Sequence, residues 1–453
     1  MVSVSGFRGR VGDPLTPELV CELAGEFTSF LRERNNGKVL VVARDSRTSG
    51  SMLARAVCAG ILSRGVNVID LGIVATPTAM LTVEKKNALG GIMISASHNP
   101  AEWNALKLVS HDGSFLDVTM MTSFLNSISE ESLGNLAPWD QLGSYQSEEN
   151  ASDTHVKEIL DLSVLDLQRL RKRKFKVALD CVRGAGGVIM PLLLEALGCE
   201  VVAIHTEVDG KFPRDPEPTA DNLLELSHLV KTTGAEVGFA VDPDVDRLSL
   251  VDEHGTPLGE DMTLAFATDV VLNNRPGSVV TNLSTSQVID DVVRHHGGQL
   301  TRTSVGEINV VRGMQKQEAP IGGEGNGGVI LSELHHTRDA PLAAALVLQH
   351  LLERNEALSE CASRWPRYVI QKTKITIPKE KLPQVYDVLK SEMSGAHCDE
   401  TDGLRMYWSG ERKWVHIRPS GTEPIVRLIA EACDQKTVQA LIDDVVRHLE
   451  DVQ

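Results

Sequence analysis

The chain has 453 residues, of which 42% are hydrophobic, and a formal net charge of −17; this length implies several domains, because single cores stop growing beyond roughly 250–300 residues. The acidic balance argues against nucleic-acid binding, which needs a basic face, but it leaves anionic small molecules possible as ligands, since a local arginine cluster can overcome the overall charge. The seven cysteines form no CxxC pair, which argues against a disulfide framework or a zinc site.

A strand–loop–helix–strand pattern occurs three times, in residues 38–72, 174–205 and 277–305. Each unit spans about 30 residues, the size of a βαβ crossover. The predicted strands carry the β-branched residues that are typical of a sheet buried on both faces. The sequence therefore predicts three similar α/β domains with mixed sheets.

The C-terminal region has a different pattern, with several strands and few crossovers, which favours an antiparallel α+β domain. The predicted strands there are residues 373–378, 405–410, 414–418 and 425–432, and the predicted helices are 382–393 and 436–452. The four predicted domains are residues 1–150, 151–253, 254–367 and 368–453.

The first loop that is a candidate functional site follows the apolar segment 92–94 and has the sequence SASHNP, with Ser97 at its centre. Serine is a weak nucleophile unless a base or a metal assists it. The chain has no G-x-S-x-G elbow, and His98 is adjacent in sequence and therefore poorly placed as a triad base. We interpret Ser97 as a carrier of a phosphoryl group, which adds roughly two negative charges and three acceptor oxygens.

The second loop places Asp242, Asp244 and Asp246 directly after an apolar strand. In an extended chain this i, i+2, i+4 spacing puts the three carboxylates on one side. Like charges held together favour a divalent cation, and an all-oxygen ligand set favours Mg²⁺ over zinc. Such an ion could bridge the aspartates and a phosphate on Ser97; the alternative is a solvated acidic turn.

The third loop, GGEGNGG, matches the dinucleotide fingerprint G-x-G-x-x-G from Gly323 to Gly328. That fingerprint should follow an apolar strand and open a helix, whereas here KQEAPI precedes the loop and the apolar segment VIL comes after it. We therefore reject the dinucleotide reading. Glu324 and Asn326 are suited to binding polyol hydroxyls, and the alternative is a tight glycine turn.

The fourth loop lies in HIRPSGTEPIVRL and combines two guanidinium groups, two hydroxyls and free backbone N–H groups between two strands. Such a nest matches a phosphate dianion in charge and donor geometry. The residues concerned are Arg418, Ser420, Gly421, Thr422 and Arg427. Five further basic residues, taken one at a time, are more typical of surface charges than of ligands: Arg8, Arg44, Arg47, Lys107 and Arg247.

These four loops, in this order and at these distances, resemble the signature loops of the α-D-phosphohexomutase family, which includes phosphoglucomutase/phosphomannomutase and phosphoglucosamine mutase. The resemblance covers essentially the whole chain and implies four domains around one cleft. It implies that Ser97 is a phosphoserine whose phosphate, with Asp242, Asp244 and Asp246, holds Mg²⁺. It also implies that a sugar 1-phosphate and 6-phosphate interconvert through a sugar 1,6-bisphosphate.

The resemblance further implies roles for the remaining candidates. Glu324 and Asn326 would bind the ring hydroxyls, and the fourth loop would hold the phosphate already on the substrate. The transfer site would be lined by Arg8, His98, Lys107 and Arg247, with Lys107 as a candidate general acid/base.

One departure concerns the sugar loop, because many family members end it with histidine where this chain has Gly328. The loop resembles the variant grouped with archaeal-type phosphoglucosamine mutases, so glucosamine phosphate is the leading substrate, followed by the substrates of a phosphomannomutase/phosphoglucomutase. Two other classes stay open: a Mg²⁺-dependent sugar-phosphate phosphatase and a non-catalytic sugar-phosphate sensor.

The remaining expectations concern the protein's surroundings. The N-terminal region lacks the charged start and apolar core of a signal peptide, and no segment approaches the roughly 18 apolar residues of a membrane helix. We therefore expect a cytoplasmic protein that binds small sugar phosphates, with no nucleic-acid or membrane partner, as a monomer or homodimer.

Overall fold

The computed structural model describes residues 2–3, 6–128, 136–375, 378–419 and 425–450. In this part of the chain four sheets follow one another: three mixed sheets and a fourth that is entirely antiparallel. This architecture confirms the predicted fold class, while the exact domain boundaries stay predictions.

The first sheet contains eight strands in the order β1-β2-β7-β6-β4-β5-β8, with β3 paired to β2. Its elements are β1 (Val2–Ser3), β2 (Gly6–Val11), β3 (Pro14–Leu15), α1 (Pro17–Arg32), β4 (Val39–Arg44), α2 (Gly50–Leu62), β5 (Asn67–Ile73), α3 (Thr76–Lys85), β6 (Gly90–Ile94), β7 (Trp103–Ser110), α4 (Val118–Ser127) and β8 (Tyr145–Ser147).

The second sheet has the order β10-β9-β11-β12. The elements of this region are α5 (Ala151–Leu160), α6 (Leu167–Arg173), β9 (Lys176–Asp180), α7 (Gly186–Ala196), β10 (Glu200–Ile204), a 3₁₀ turn (Ala220–Asn222), α8 (Leu224–Thr233), β11 (Val237–Val241) and β12 (Leu248–Asp252).

The third sheet repeats this arrangement in the order β14-β13-β15-β16. Its region contains α9 (Asp261–Asn274), β13 (Ser278–Asn282), α10 (Val288–His295), β14 (Gln299–Thr303), α11 (Glu307–Gln317), β15 (Ile321–Glu324), β16 (Gly328–Leu331), α12 (Ala340–Arg354) and α13 (Leu358–Ser363). The strand, helix and following strand that the sequence predicts in each of the three repeated units are all present.

The fourth sheet has the order β17-β21-β20-β19-β18. It is built from β17 (Val369–Ile375), a 3₁₀ turn (Lys379–Lys381), α14 (Leu382–Glu392), β18 (His397–Asp399), β19 (Leu404–Trp408), β20 (Lys413–Pro419), β21 (Val426–Ala432) and α15 (Gln435–Glu450).

The three mixed sheets share one topology. A central strand (β4, β9 or β13) has parallel neighbours on both sides, and one of these neighbours pairs antiparallel with the strand that follows it. The turn of that antiparallel pair is the Ser97 loop in β6–β7, the aspartate loop in β11–β12 and the glycine loop in β15–β16. Three predicted motifs therefore occupy equivalent positions, at the carboxyl ends of parallel strands, where α/β sheets bind ligands.

The second and third regions share one hydrophobic core. Helix α12 is responsible, because every residue from Ala340 to Leu352 is buried, as expected for a helix that is apolar on all sides. It contacts α5, α6 and α7 on one side and α9 on the other. The aspartate loop and the glycine loop are consequently held on a common scaffold.

The fourth region has a core of its own and contacts the third through polar groups. His416 in β20 lies 2.8 Å, through Nδ1, from Oγ of Ser284 and 2.6 Å, through Nε2, from the Asp402 carbonyl. Because the carbonyl can only accept, Nε2 donates to it. In the neutral ring, Nδ1 then accepts a hydrogen bond from the Ser284 hydroxyl.

Burial lowers the pKa of His416 from 6.5 to about 4, which makes this contact sensitive to pH. A depressed histidine pKa means that the unfolded chain binds the proton more readily, so stability is complete above about pH 6.5 and falls as the pH drops towards 4. We expect His416 to contribute a loss of up to about 3 kcal/mol over this window. Urea unfolding at pH 7 and pH 4.5 should show a smaller difference for His416→Gln than for the wild-type protein; equal differences would contradict the prediction.

No helix in the described part of the chain combines the length and the apolar character needed to cross a membrane.

Candidate functional site

The Ser97 loop and the aspartate loop meet, although the two residues that join them are 145 positions apart. Oγ of Ser97 lies 2.9 Å from Oδ2 of Asp242, to which it donates a hydrogen bond. Ser97 adopts a left-handed backbone conformation, with φ of 51°, which is uncommon for a residue other than glycine and is frequent at functional sites. The structure thus brings the predicted phosphoryl carrier to the predicted metal ligands.

Buried charges hold the backbone of the Ser97 loop. Nη2 of Arg47 donates to the carbonyl oxygens of Ser97 at 2.5 Å and Asn99 at 2.7 Å, and Nε pairs with Asp45 at 3.0 Å. Ser95 Oγ donates to the same Asp45 carboxylate and accepts from the Ser97 N–H. Arg47 is only 1% exposed, so the prediction of a surface charge was wrong: its partners lie in loops that only folding brings close.

The three aspartates are fully buried, and one ligand oxygen of each lies within 4.8 Å of the others. Among the described residues, Oδ1 of Asp244 and Oδ1 of Asp246 accept no hydrogen bond. Buried carboxylate oxygens without donors are costly, and an all-oxygen site suits a hard divalent cation. The side chains present therefore fit Mg²⁺, and the solvated acidic turn is excluded by their burial.

The electrostatics of the triplet are asymmetric. Burial, and then the charges of Asp246 and Asp244, raise the pKa of Asp242 well above its ordinary value. Burial would also raise the pKa of Asp244, but the charge of Lys107 and hydrogen bonds from Lys107 and Thr76 outweigh it, and the pKa of Asp244 is lowered. The two neighbouring carboxylates thus differ because Lys107 is in direct contact with Asp244, whereas the charge of Arg247 does not offset the burial of Asp242.

Lys107 is a buried member of this cluster. It is 4% exposed, and its Nζ lies 2.5 Å from Oδ2 of Asp244. Burial lowers the pKa of Lys107, but Asp244 and Asp246 more than compensate, so the net pKa is raised and the side chain carries a proton at neutral pH. The surface interpretation was wrong, while the acid/base role stays a prediction.

Arg247 and Arg8 approach the same place from two domains. Arg247 is 8% exposed, which makes the surface interpretation wrong here as well, and it pairs with Glu217 at 3.1 Å. Arg8 Nη1 donates to Oδ1 of Asn99 at 2.6 Å. Their positive charges face the Ser97 loop and are suited to a phosphate dianion.

His98 lies beside Ser97, with Nδ1 at 3.4 Å from the serine Oγ. Burial, followed by the charges of Arg247 and Arg8, lowers the pKa of His98 well below 6.5. The ring is therefore neutral, and its contact with the hydroxyl is long. This geometry agrees with the expectation that His98 is not the base of a catalytic triad.

The glycine loop is the turn of a β-hairpin, in which Glu324 pairs with Gly328. No helix follows the turn directly, in agreement with the rejection of the dinucleotide fingerprint. The sequence-based expectation that no strand precedes the loop was wrong, because β15 includes Gly322 and Gly323. A side chain at either glycine would collide with the backbone of a neighbouring strand, so the packing requires glycine here. Because two glycines interrupt the apolar pattern, the sequence did not indicate a strand at this position.

Glu324 is 4% exposed and Asn326 is half-buried in the turn. Oε1 of Glu324 accepts from Asn282 at 2.8 Å and from the Gly306 N–H at 3.0 Å, and Oε2 accepts from Arg338 Nη1 at 2.9 Å. The carboxylate is therefore held in one orientation. Its role towards a sugar stays a prediction.

Arg338 is the main site residue that sequence reasoning missed. It is 8% exposed and contacts Asp246, Glu307 and Glu324, and it thereby joins the aspartate loop to the glycine loop. Its segment, HTRDA, carries no local signal that distinguishes it from a surface stretch. These carboxylates raise its pKa against the opposing effect of burial.

The fourth motif is only partly described. Arg418 and Arg427 face each other in the β20–β21 register, and Arg418 Nε lies 3.0 Å from Oδ2 of Asp402. Ser420, Gly421 and Thr422 lie outside the described residues. The predicted phosphate nest therefore stays a prediction.

Comparisons with known proteins agree with this fold along the whole chain. The models of phosphoglucomutase/phosphomannomutase α/β/α domains I, II and III match residues 2–134, 153–255 and 259–368, and the model of the C-terminal domain matches residues 374–448. The fold and the site together define a class of four-domain proteins with a serine loop facing an acidic triplet. The chain belongs to the α-D-phosphohexomutase family, as the resemblance predicted.

Individual relatives cover nearly the full length. A probable phosphoglucosamine mutase of Methanopyrus kandleri is 35% identical over 98% of this chain and 96% of its own. A phosphoglucomutase/phosphomannomutase of Thermococcus kodakarensis is 34% identical, covering 98% and 97%. A solved structure of a family protein from Burkholderia thailandensis is 27% identical, covers 100% of this chain and 98% of its own, and has a TM-score of 0.86.

Proposed function

We propose that this protein is a phosphohexomutase that interconverts the 6-phosphate and 1-phosphate of a hexosamine, as a phosphoglucosamine mutase does. The proposal rests mainly on the position of the Ser97 hydroxyl, which lies 2.9 Å from Oδ2 of Asp242, next to three buried carboxylates. A hydroxyl in that position can be loaded with phosphate and can return it.

The metal component of the proposal is Mg²⁺, held by Asp242, Asp244 and Asp246 together with the phosphate on Ser97. When bound, the ion would neutralise charge on the transferring phosphoryl group and polarise it. The fit rests on the buried, hydrogen-bond-free oxygens of Asp244 and Asp246 within the described residues.

The protein's own residues would carry the transfer in two balanced steps. A free hydroxyl of the sugar phosphate attacks the phosphorus on Ser97; the P–O bond to Oγ breaks, and the hydroxyl proton ends on the released serine. The resulting sugar 1,6-bisphosphate turns end over end. Oγ of Ser97 then attacks the other phosphate, its proton passes to the leaving sugar oxygen, and the isomer is released.

Positively charged side chains would support both steps. Lys107, Arg8 and Arg247 would surround the transferred phosphoryl group and stabilise its charge. Lys107 already carries a proton and is suited to donate it to a leaving oxygen. The distal phosphate would bind at Arg418, Ser420, Gly421, Thr422 and Arg427, while Glu324 and Asn326 would bind the ring hydroxyls.

A phosphomannomutase/phosphoglucomutase is the second candidate, supported by the relative of that name at 34% identity over 98% of the chain. The two candidates differ in whether the sugar carries an amine at carbon 2. The scaffold of the transfer site would be common to both.

A substrate comparison should separate these possibilities. We expect the purified protein, with Mg²⁺ and the matching 1,6-bisphosphate, to isomerise glucosamine 6-phosphate with a higher kcat/KM than glucose, mannose or N-acetylglucosamine phosphates. Product isomers and inorganic phosphate should both be measured. A preference for mannose or glucose phosphate would favour the second candidate, release of phosphate without isomerisation would indicate a phosphatase, and binding without turnover would indicate a sensor.

A further inference from the structure

Gly328 lies at the end of the glycine loop. Its backbone φ is not positive, so the backbone conformation does not explain why glycine occurs here. The side chain of Arg338, however, lies very close to this glycine. A Cβ at this position would lie 2.9 Å from Cγ of Arg338 and closer still to Cδ. The arginine side chain crosses the space that any larger residue at position 328 would occupy. The glycine at position 328 therefore leaves room for the Arg338 side chain and is not needed by its own backbone conformation.

Arg338 distributes its guanidinium over three segments. Nη2 pairs with Asp246 of the aspartate loop, Nη1 donates to Glu324 of the glycine loop at 2.9 Å, and Nε donates to Glu307 of α11 at 3.0 Å. Only arginine offers donors in such a fixed planar arrangement. One side chain thus sets the distance between a predicted metal ligand and a predicted sugar ligand.

The backbone beside Arg338 is itself held firmly. Asp339 caps helix α12 by accepting from Leu342 N–H at 2.9 Å, and it accepts hydrogen bonds from His155 at 2.7 Å and His335 at 2.8 Å. All three side chains of this cluster are at most 3% exposed. The arginine therefore projects from a fixed point, and its contacts are not those of a mobile surface residue.

We propose that Arg338 is a positioning residue with two opposite effects: it orients Glu324 for the sugar, and it competes with the divalent cation for Asp246. This inference rests on the proposed function and adds a residue to it. Gly328 also belongs to this arrangement, because a side chain at position 328 would displace Arg338.

The two effects give the inference a distinctive signature. Without Arg338, Glu324 loses a charge-assisted hydrogen bond, and sugar binding should weaken. At the same time Asp246 loses a competing cation, and Mg²⁺ binding should strengthen. If Arg338 only maintained the fold, its loss would weaken both sugar binding and Mg²⁺ binding.

The test measures Mg²⁺ affinity by calorimetry and mutase kinetics separately in Arg338→Gln. We expect the KM for the sugar phosphate to rise roughly tenfold or more, in line with loss of a hydrogen bond to a charged group, and the Kd for Mg²⁺ to fall, on the order of tenfold. Arg64→Gln removes another buried arginine, paired with Glu26, and should change neither value more than about twofold.

Gly328→Ala provides a second variant, which keeps the arginine charge and is available if Arg338→Gln does not fold. It should shift both values in the same directions, and the double variant should be no worse than Arg338→Gln alone, because both changes act through one side chain. Weakened Mg²⁺ binding, unchanged KM or additive effects would overturn the inference. Failure of the proposed function would appear differently, as a wild-type protein without isomerase activity.

Discussion

Replacing Ser97 with alanine is expected to abolish turnover, with a loss of at least about 10⁴-fold, since removing the covalent nucleophile of an enzyme removes its entire route. The fold should survive. The Ser97 backbone is held by its carbonyl contact with Arg47 and its N–H contact with Ser95, and neither involves the deleted hydroxyl. The measurements are isomerisation rate, thermal unfolding and intact mass after incubation with a sugar 1,6-bisphosphate.

Ser110→Ala is the matched control, because Ser110 is also a buried serine of the first sheet, 1% exposed, and its hydroxyl forms a hydrogen bond with His111 and with no other described residue. It should keep both turnover and the mass gain of one phosphoryl group, whereas Ser97→Ala should lose both. Retained isomerisation in the Ser97 variant, or an equal mass gain in it, would rule out the phosphoserine route.

Replacing Asp244 with asparagine should have the second-largest effect, lowering turnover by about 10²- to 10³-fold, as does removal of a single charge-stabilising group in other active sites. The substitution removes the carboxylate that pairs with Lys107 at 2.5 Å and that accepts from Thr76 at 2.6 Å. It also removes one of the three proposed anionic ligands, so the Mg²⁺ concentration for half-maximal activity should rise. Activity should be measured across a Mg²⁺ titration and after chelation.

Asp252→Asn is the matched control for the charge change. Asp252 ends β12 in the same sheet, is 5% exposed and accepts from the backbone N–H groups of His254 and Thr256, which the amide oxygen of asparagine can replace. Its turnover and Mg²⁺ dependence should stay within about threefold of wild type. A Mg²⁺ requirement that is unchanged in Asp244→Asn would count against the triplet as the metal site.

Local patterns were sufficient for much of the fold. The repeated strand–loop–helix–strand units and the C-terminal strands were predicted because apolar periodicity is a property of residues only a few positions apart. Strand β15 was missed for the same reason, since Gly322 and Gly323 remove the side-chain alternation on which a strand prediction depends.

The sequence by itself determined which chemical groups the protein carries and in what order: a serine loop, an acidic triplet, a glycine hairpin and an arginine-flanked loop on successive domains. Only the tertiary structure decided which charged side chains are buried and which groups they contact. Examples are Arg47, which binds the backbone of the Ser97 loop, Lys107, which pairs with Asp244, and Arg338, which joins the aspartate loop to the glycine loop. The physical reason is the distance along the sequence over which each kind of interaction acts. Periodicity and turn chemistry are properties of neighbouring residues, whereas the environment of a charge depends on groups that are distant in the sequence and that chain topology places beside it, such as Ser97 at 50 positions from Arg47 and Asp244 at 137 positions from Lys107.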